Sequence, residues 1–279
     1  MNNIKTVFLL GAMTGLFLLI GGYAGGESGM IIAFIFAAIM NVGAYWFSDK
    51  IVLKAYGAAE LSERDFPHIF RMVRQLTEKA NIPMPKLYIL NQDSPNAFAT
   101  GRDPSHSAVA LSRGMIDLMS DAQIEGVISH ELTHIINRDT LISTVAATIS
   151  GAIMFLAYQM RWFAIFGGGS DDDDHGGALG LILMAILAPL AATIIQMAIS
   201  RSREFKADSG GAHLTNNPEG LASGLEKLGR YSKQIPMKAT KQTAHMFIVN
   251  PFSGKSLLKI FSTHPPIEER VARLRKMEL

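Results

Sequence analysis

The chain has 279 residues, of which 48% are hydrophobic and only 18% charged, with a net charge of +2. That balance points to a membrane protein and, with no basic block present, away from nucleic-acid binding. There is no cysteine, which excludes disulfides, thiolate metal sites and cysteine-based catalysis, so any zinc must be held by His, Asp or Glu.

The first two runs are apolar. Residues 4–22 are broken only by Lys5 and two threonines and are long enough to cross a hydrocarbon core of about 30 Å. A cleaved leader would carry a small-residue processing site and a more basic start, so this run reads as a retained anchor. Residues 23–29 form a glycine-rich turn, and residues 30–47 a second apolar run with Tyr45 and Trp46 placed as an interfacial belt. The pair predicts a membrane hairpin.

From residue 48 the character changes. Ser62, with Glu63 and Asp65 after it, predicts the start of a helix over 63–80. Phe66, Ile69, Phe70, Val73 and Leu76 share one face, and Asn81, Pro83 and Pro85 end it. Residues 86–90 and 108–111 read as short strands. Between them stand Asn96, Ala97, Phe98, Ala99, Thr100 and Gly101. These offer either a strand edge on which an extended peptide can add by backbone pairing, or a plain connecting loop.

Residues 121–137 then form a helix, with Ile124, Val127, Ile128, Leu132 and Ile135 at helical spacing. On it, His130 and His134 are one turn apart, so two imidazoles can face one tetrahedral zinc. Glu131 does not ligate in an H-E-x-x-H pattern; it sits beside the metal-bound water, where a carboxylate can take its proton.

A third apolar run over 141–158 begins just after His134, which places the metal helix at the membrane surface. It is not inside the bilayer, because Asp121, Asn137, Arg138 and Asp139 bracket it. Residues 161–177 hold three consecutive glycines and the acidic stretch Asp171, Asp172, Asp173, Asp174 and His175, read as a solvated loop rather than a cation site. Residues 178–199 are the fourth run. Lys5, Lys50, Lys54, Arg138, Arg201 and Arg203 flank one side and Arg161 alone the other, so both termini and the metal helix are expected in the cytoplasm. Nearly bare spans argue against a transport path.

Two histidines do not complete a catalytic zinc site. After the fourth run, residues 200–208 are helical in pattern, on the same side of the membrane, with Glu204 and Asp208 on one face. Glu204 is the expected third ligand and Asp208 the carboxylate that receives the outer nitrogen of a histidine, His130 in particular. His213, His264 and Asp139 are the other candidates: Asp139 stands too close along the helix, and the two histidines need distant loops. A helix follows from Pro218, residues 234–250 read as a loop crossing the site or lying on the membrane, and Pro265 and Pro266 lead into a last amphipathic helix. His264 and Arg270 are the types of group that stabilise an oxyanion.

Together these pieces resemble the HtpX family of membrane-anchored zinc metalloproteases, relatives of the CAAX prenyl endopeptidases. The likeness rests on the hairpin, residues 96–101 (NAFATG), 130–134 (HELTH), 203–208 (REFKAD) and 263–270 (THPPIEER) in that order. It implies one Zn²⁺ on His130, His134 and Glu204, Glu131 as general base, Asp208 as a supporting carboxylate, and His264 and Arg270 as transition-state or substrate contacts. It also implies proteolysis of misfolded membrane proteins at the cytoplasmic face of a bacterial inner membrane. The expected architecture is mainly α with a small β-sheet: four transmembrane helices plus a cytoplasmic gluzincin-like metalloprotease domain. By this reading 1–49 is the first hairpin, 50–140 and 200–279 the two halves of the catalytic domain, and 141–199 the second hairpin. The competing readings are a narrow-specificity processing protease of the CAAX type and a non-catalytic membrane adaptor with a structural zinc.

Overall fold

A computed structural model describes residues 2–166, 194, 200–232, 234–235, 237, 239–240, 242–249 and 265–279. The acidic loop, most of the fourth apolar run and His264 lie outside these. The N-terminal helix α1 spans Asn2–Ala55 and is broken at Gly25 and Gly26, the latter at φ 58°, a conformation that costs glycine little. Its two arms fold back on one another. Asn41 donates to the Leu10 carbonyl and to Thr14 Oγ1, and Phe17 meets Phe36 edge to face at 5.2 Å.

The segment Gly25–Ala55 is long and apolar enough to cross a bilayer, and Ile32, Phe34, Ile35, Ile39, Val42 and Trp46 on it are exposed. Thr6–Leu19 and Asp139–Met154 are shorter apolar helices. Among the described residues the expected four spans therefore reduce to one clear candidate.

The rest is mainly helical around one small mixed sheet. Its strands are β1 (Ala59–Glu60), β2 (Lys86–Leu90), β3 (Ala97–Asp103) and β4 (His106–Ser112), in the order β1-β2-β4-β3. β2 and β4 are parallel, with Leu87 opposite Val109; β3 and β4 form an antiparallel hairpin, with Phe98 opposite Ala110. β3 is thus a strand at the sheet edge, and the connecting-loop alternative for residues 97–100 does not hold.

Helix α2 covers Pro67–Ala80 rather than starting near Glu63, and no side chain caps it. Ser62 contributes its carbonyl to Asp65 and Phe66 in a turn before it, and proline takes the first helical position, where its missing N–H costs nothing. A short α3 (Arg113–Leu118), capped by Ser112 Oγ accepting from Met115 N–H, was not foreseen. The metal helix α4 (Asp121–Ile136) starts at Ser120, whose N–H donates to the Gln123 side chain. Next come α5 (Asp139–Phe166), α6 (Arg201–Thr215), α7 (Pro218–Tyr231) and α8 (Ile267–Leu274).

The main core joins α2, the sheet, α4, α7 and α8 through Ile69, Val73, Val109, Ile128, Leu132, Leu225 and Leu274. A second cluster packs Leu141, Ile142, Val145, Ile149 and Ile153 of α5 against Leu9, Met13 and Ala44 of the hairpin. The metal helix α4 is therefore built into the main core, and α5, which follows it, packs on the apolar hairpin.

Candidate metal centre

Helix α4 meets α6 at a spacing set by small residues. A methyl at Gly211 would come within 2.9 Å of the His130 backbone nitrogen, so only glycine lets the axes approach this far. On the other side a methyl at Gly126 would meet the backbone of Leu221 at 2.5 Å. The close approach carries Glu204 and Asp208, one turn apart on α6, up to the histidines of α4.

There, His130 Nε2 and His134 Nε2 are 3.2 Å apart. Glu204 Oε2 lies 3.8 Å from the first and Oε1 3.5 Å from the second. Among the described residues this is the group whose donor atoms all fall within 4.8 Å of one another.

Each histidine has its own carboxylate behind it. His130 Nδ1 is 2.9 Å from Asp208 Oδ1, and His134 Nδ1 is 3.1 Å from Asp139 Oδ2. A carboxylate only accepts, so both Nδ1 atoms carry a proton and both Nε2 atoms turn inward toward each other. At that distance the pair shares one positive charge, a proton on His134 or a metal ion in its place. A tetrahedral zinc with nitrogens at 2.0–2.1 Å would set them about 3.3 Å apart. The donor set therefore fits zinc.

Asp139 is the residue that the sequence reading weighed only as a ligand and set aside. Arg138 adopts φ 56°, which breaks α4 from α5 and swings Asp139 back onto the His134 ring. Its other oxygen faces Arg203 Nη1 at 3.7 Å. His213 is exposed at the far end of α6. No local pattern marks Asp139; the only hint is an acidic residue five positions after the second histidine.

Arg270 sits differently from an oxyanion donor. It is fully buried, gives Nε and Nη2 to the two oxygens of Asp208 at 2.8 and 2.7 Å, and gives Nη1 to the Ile248 carbonyl at 3.0 Å. Its fork grips the carboxylate that orients His130.

The electrostatics separate the groups. Burial pushes Glu131 up to about 7, with Glu204 adding to the rise and His134 opposing it, and the Ala99 N–H donates to its carboxylate. Burial also holds His130 down to about 4. Burial opposes the charged form of His134, but the hydrogen bond to Asp139 and the charges of Glu204 and Glu131 carry it up to about 9. Asp208, despite its burial, is held down to about 2 by Arg270. A cavity of about 40 Å³, room for little more than a few water molecules, opens on His130, Glu131, His134 and Glu204. Its wall is made by Ala99, Arg203, His245 and Ile248 among others.

Three converging ligand atoms, a carboxylate of raised pKa beside them and an apolar hairpin under them define a membrane-anchored metalloprotease. The profile of peptidase family M48 matches residues 63–278. A "Protease HtpX homolog" of Desulforapulum autotrophicum is 56% identical over 98% of this chain and 89% of its own length. That of Syntrophobacter fumaroxidans is 54% identical over 99% of both chains, and that of Persephonella marina is 51% identical over 99% and 98%. The chain belongs to the HtpX group of peptidase family M48. The crystal structure of Ste24p from S. mikatae shares the fold, with a TM-score of 0.52 and 18% identity. The likeness covers 97% of this chain and 65% of that one.

Proposed function

We propose that this chain is a zinc-dependent endopeptidase of the bacterial inner membrane that hydrolyses misfolded or damaged membrane proteins from the cytoplasmic side. The observation that carries the reading is the convergence of His130 Nε2, His134 Nε2 and a Glu204 oxygen beside Glu131. His130, His134 and Glu204 hold one Zn²⁺, which when bound supplies a Lewis acid and acidifies a water. Among the described residues three protein ligands converge, which leaves a position for that water and favours catalysis over a closed structural site.

Glu131 is the general base. A carboxyl group with a pKa of about 7 both accepts a proton and gives it up again near neutral pH, so it can pass the proton to the leaving amine. The Ala99 N–H holds its carboxylate in place. Asp208 and Asp139 keep the protons on Nδ1 of the two histidines, and Arg270 acts through Asp208 as a positioning residue. His264 stays the candidate oxyanion donor on the strength of the family likeness. Asn96, Ala97, Phe98, Ala99 and Thr100 provide the edge along which an extended polypeptide pairs by its backbone, a mode tolerant of sequence and suited to unfolded substrates. The one-sided basic flanks support cytoplasmic termini, four spans, and a catalytic domain split into 50–140 and 200–279 around the second hairpin.

The test uses purified protein in detergent, with zinc content and casein cleavage scored together. Glu131→Gln should keep its zinc and lose about two to four orders of magnitude in kcat; retained activity would sink the general-base role. Glu204→Ala should lose both zinc and activity. A wild type that holds zinc yet cleaves no unfolded protein would favour the adaptor or the narrow processing protease.

A further inference from the structure

The edge that a substrate would use already has an occupant. Just before β3 the Asn96 carbonyl receives Ser112 N–H from the β4 side, so by the alternation of an antiparallel ladder Ala97 and Ala99 turn their backbone groups outward. The outward carbonyl of Ala97 accepts Ile248 N–H at 3.1 Å. The Asn96 side chain pairs with Val249 as a backbone would, giving Nδ2 to its carbonyl at 3.0 Å and taking its N–H on Oδ1 at 3.4 Å. Ile248 is gripped from its other side by Arg270 Nη1.

The segment before it is tied down as well. Phe247 meets Tyr56 at 5.1 Å and Phe98 at 5.2 Å, both edge to face. Tyr56 OH bonds Thr243 Oγ1, which also meets Thr240 Oγ1 at 2.7 Å. His245 Nε2 donates to the Ser143 carbonyl at 3.1 Å. Residues 245–248 also wall the cavity over the metal ligands.

We propose that residues 242–249 form a strap that fills the substrate edge of β3 in the resting enzyme. An extended polypeptide then enters by displacing Ile248 and Val249 from Ala97 and Asn96. The inference rests on the reading of β3 as the substrate edge. Its consequence is selective: a chain must have backbone N–H and C=O groups free to replace the strap's own, which unfolded segments have and folded domains lack. The apparent affinity for any substrate is reduced by the fraction of molecules with the strap open.

Hydrogen exchange on zinc-loaded Glu131→Gln protein in detergent, with and without unfolded β-casein as the probe, tests this. Displacement predicts that casein speeds exchange in 242–249 while slowing it in 97–103. If 97–103 slows and 242–249 stays protected, the strap is not displaced and the proposal falls while the substrate edge stands. If 97–103 does not respond, the substrate edge itself is wrong and the strap falls with it. A second readout uses Tyr56→Phe in the active enzyme, which removes the Thr243 tether and keeps the ring. Weakening the closed state by one neutral hydrogen bond should lower KM for casein about fivefold with kcat unchanged. An unchanged or raised KM would overturn the proposal.

Discussion

The two histidines of α4 are one turn apart, yet they sit in different electrostatic surroundings. His130 is dry, held near a pKa of about 4, and its carboxylate comes from a distant helix and is itself gripped by Arg270 from the end of the chain. His134 keeps 15% of its side-chain surface exposed, is raised to about 9, and takes its carboxylate from five residues on. One side is a long-range tertiary assembly; the other is a local turn. The difference teaches that the His130 arm is bound up with folding, whereas the His134 arm tunes a ligand on a helix that already stands.

The largest expected effect follows from that contrast. Arg270→Met leaves Asp208 as an uncompensated charge in a dry core and also releases the Ile248 carbonyl. Removing one partner of a buried pair costs about 3–5 kcal/mol, a large share of a domain's stability. Thermal denaturation in detergent should show a much lower Tm or no folded protein at all. A variant that melts with the wild type would mean that the fork contributes little.

Next in size is Asp139→Asn. The fold should survive, because asparagine keeps the size of the side chain and its Oδ1 can still accept from His134 Nδ1, although Arg203 loses a nearby negative charge. Zinc affinity should fall about ten- to a hundredfold, as is usual when the partner of a metal-bound histidine is lost. Competition with a chelator of known affinity measures it. If Asp139→Asn destabilises the protein as much as Arg270→Met, the division into a folding arm and a tuning arm is wrong.

How much of this was legible beforehand depends on regular spacing rather than on distance along the chain. The metal helix and the strands at 86–90 and 108–111 were readable because periodicity and spacing of a few residues carry them, and Glu204 and Asp208 could be put on one helix face because they are four residues apart. The hairpin was readable from apolar runs. Asp139 was not, because a left-handed Arg138 redirects the chain, and nothing in the side chain of arginine announces that conformation. Arg270 was read as facing the substrate, since a charged residue is expected to meet water or ligand; its full burial follows from Asp208 on another helix, which spacing along the chain cannot show. The segment 234–250 was expected to cross the site or lie on the membrane. That its Ile248 pairs with Ala97 depends on a long-range register that the sequence does not encode locally.

The finest expected effect concerns protons rather than affinity itself. Without metal, His134 holds its proton up to a pH of about 9, while His130 is already neutral above about 4. A metal must displace the His134 proton but none from His130, so each zinc taken up near pH 8 should release about one proton from this pair. The sign follows: zinc affinity rises with pH up to about 9 and then levels, by about tenfold per unit below that point. In Asp139→Asn the carboxylate charge that raises His134 is lost, its pKa falls, and the levelling should move to lower pH. Metal titration in two buffers of different ionisation enthalpy, at pH 6.5 to 9.5, measures the released protons. If Asp139→Asn releases as many protons as the wild type between pH 8 and 9.5, where Glu131 is already ionised, the raised His134 is not the source, and the contrast between the two arms would close.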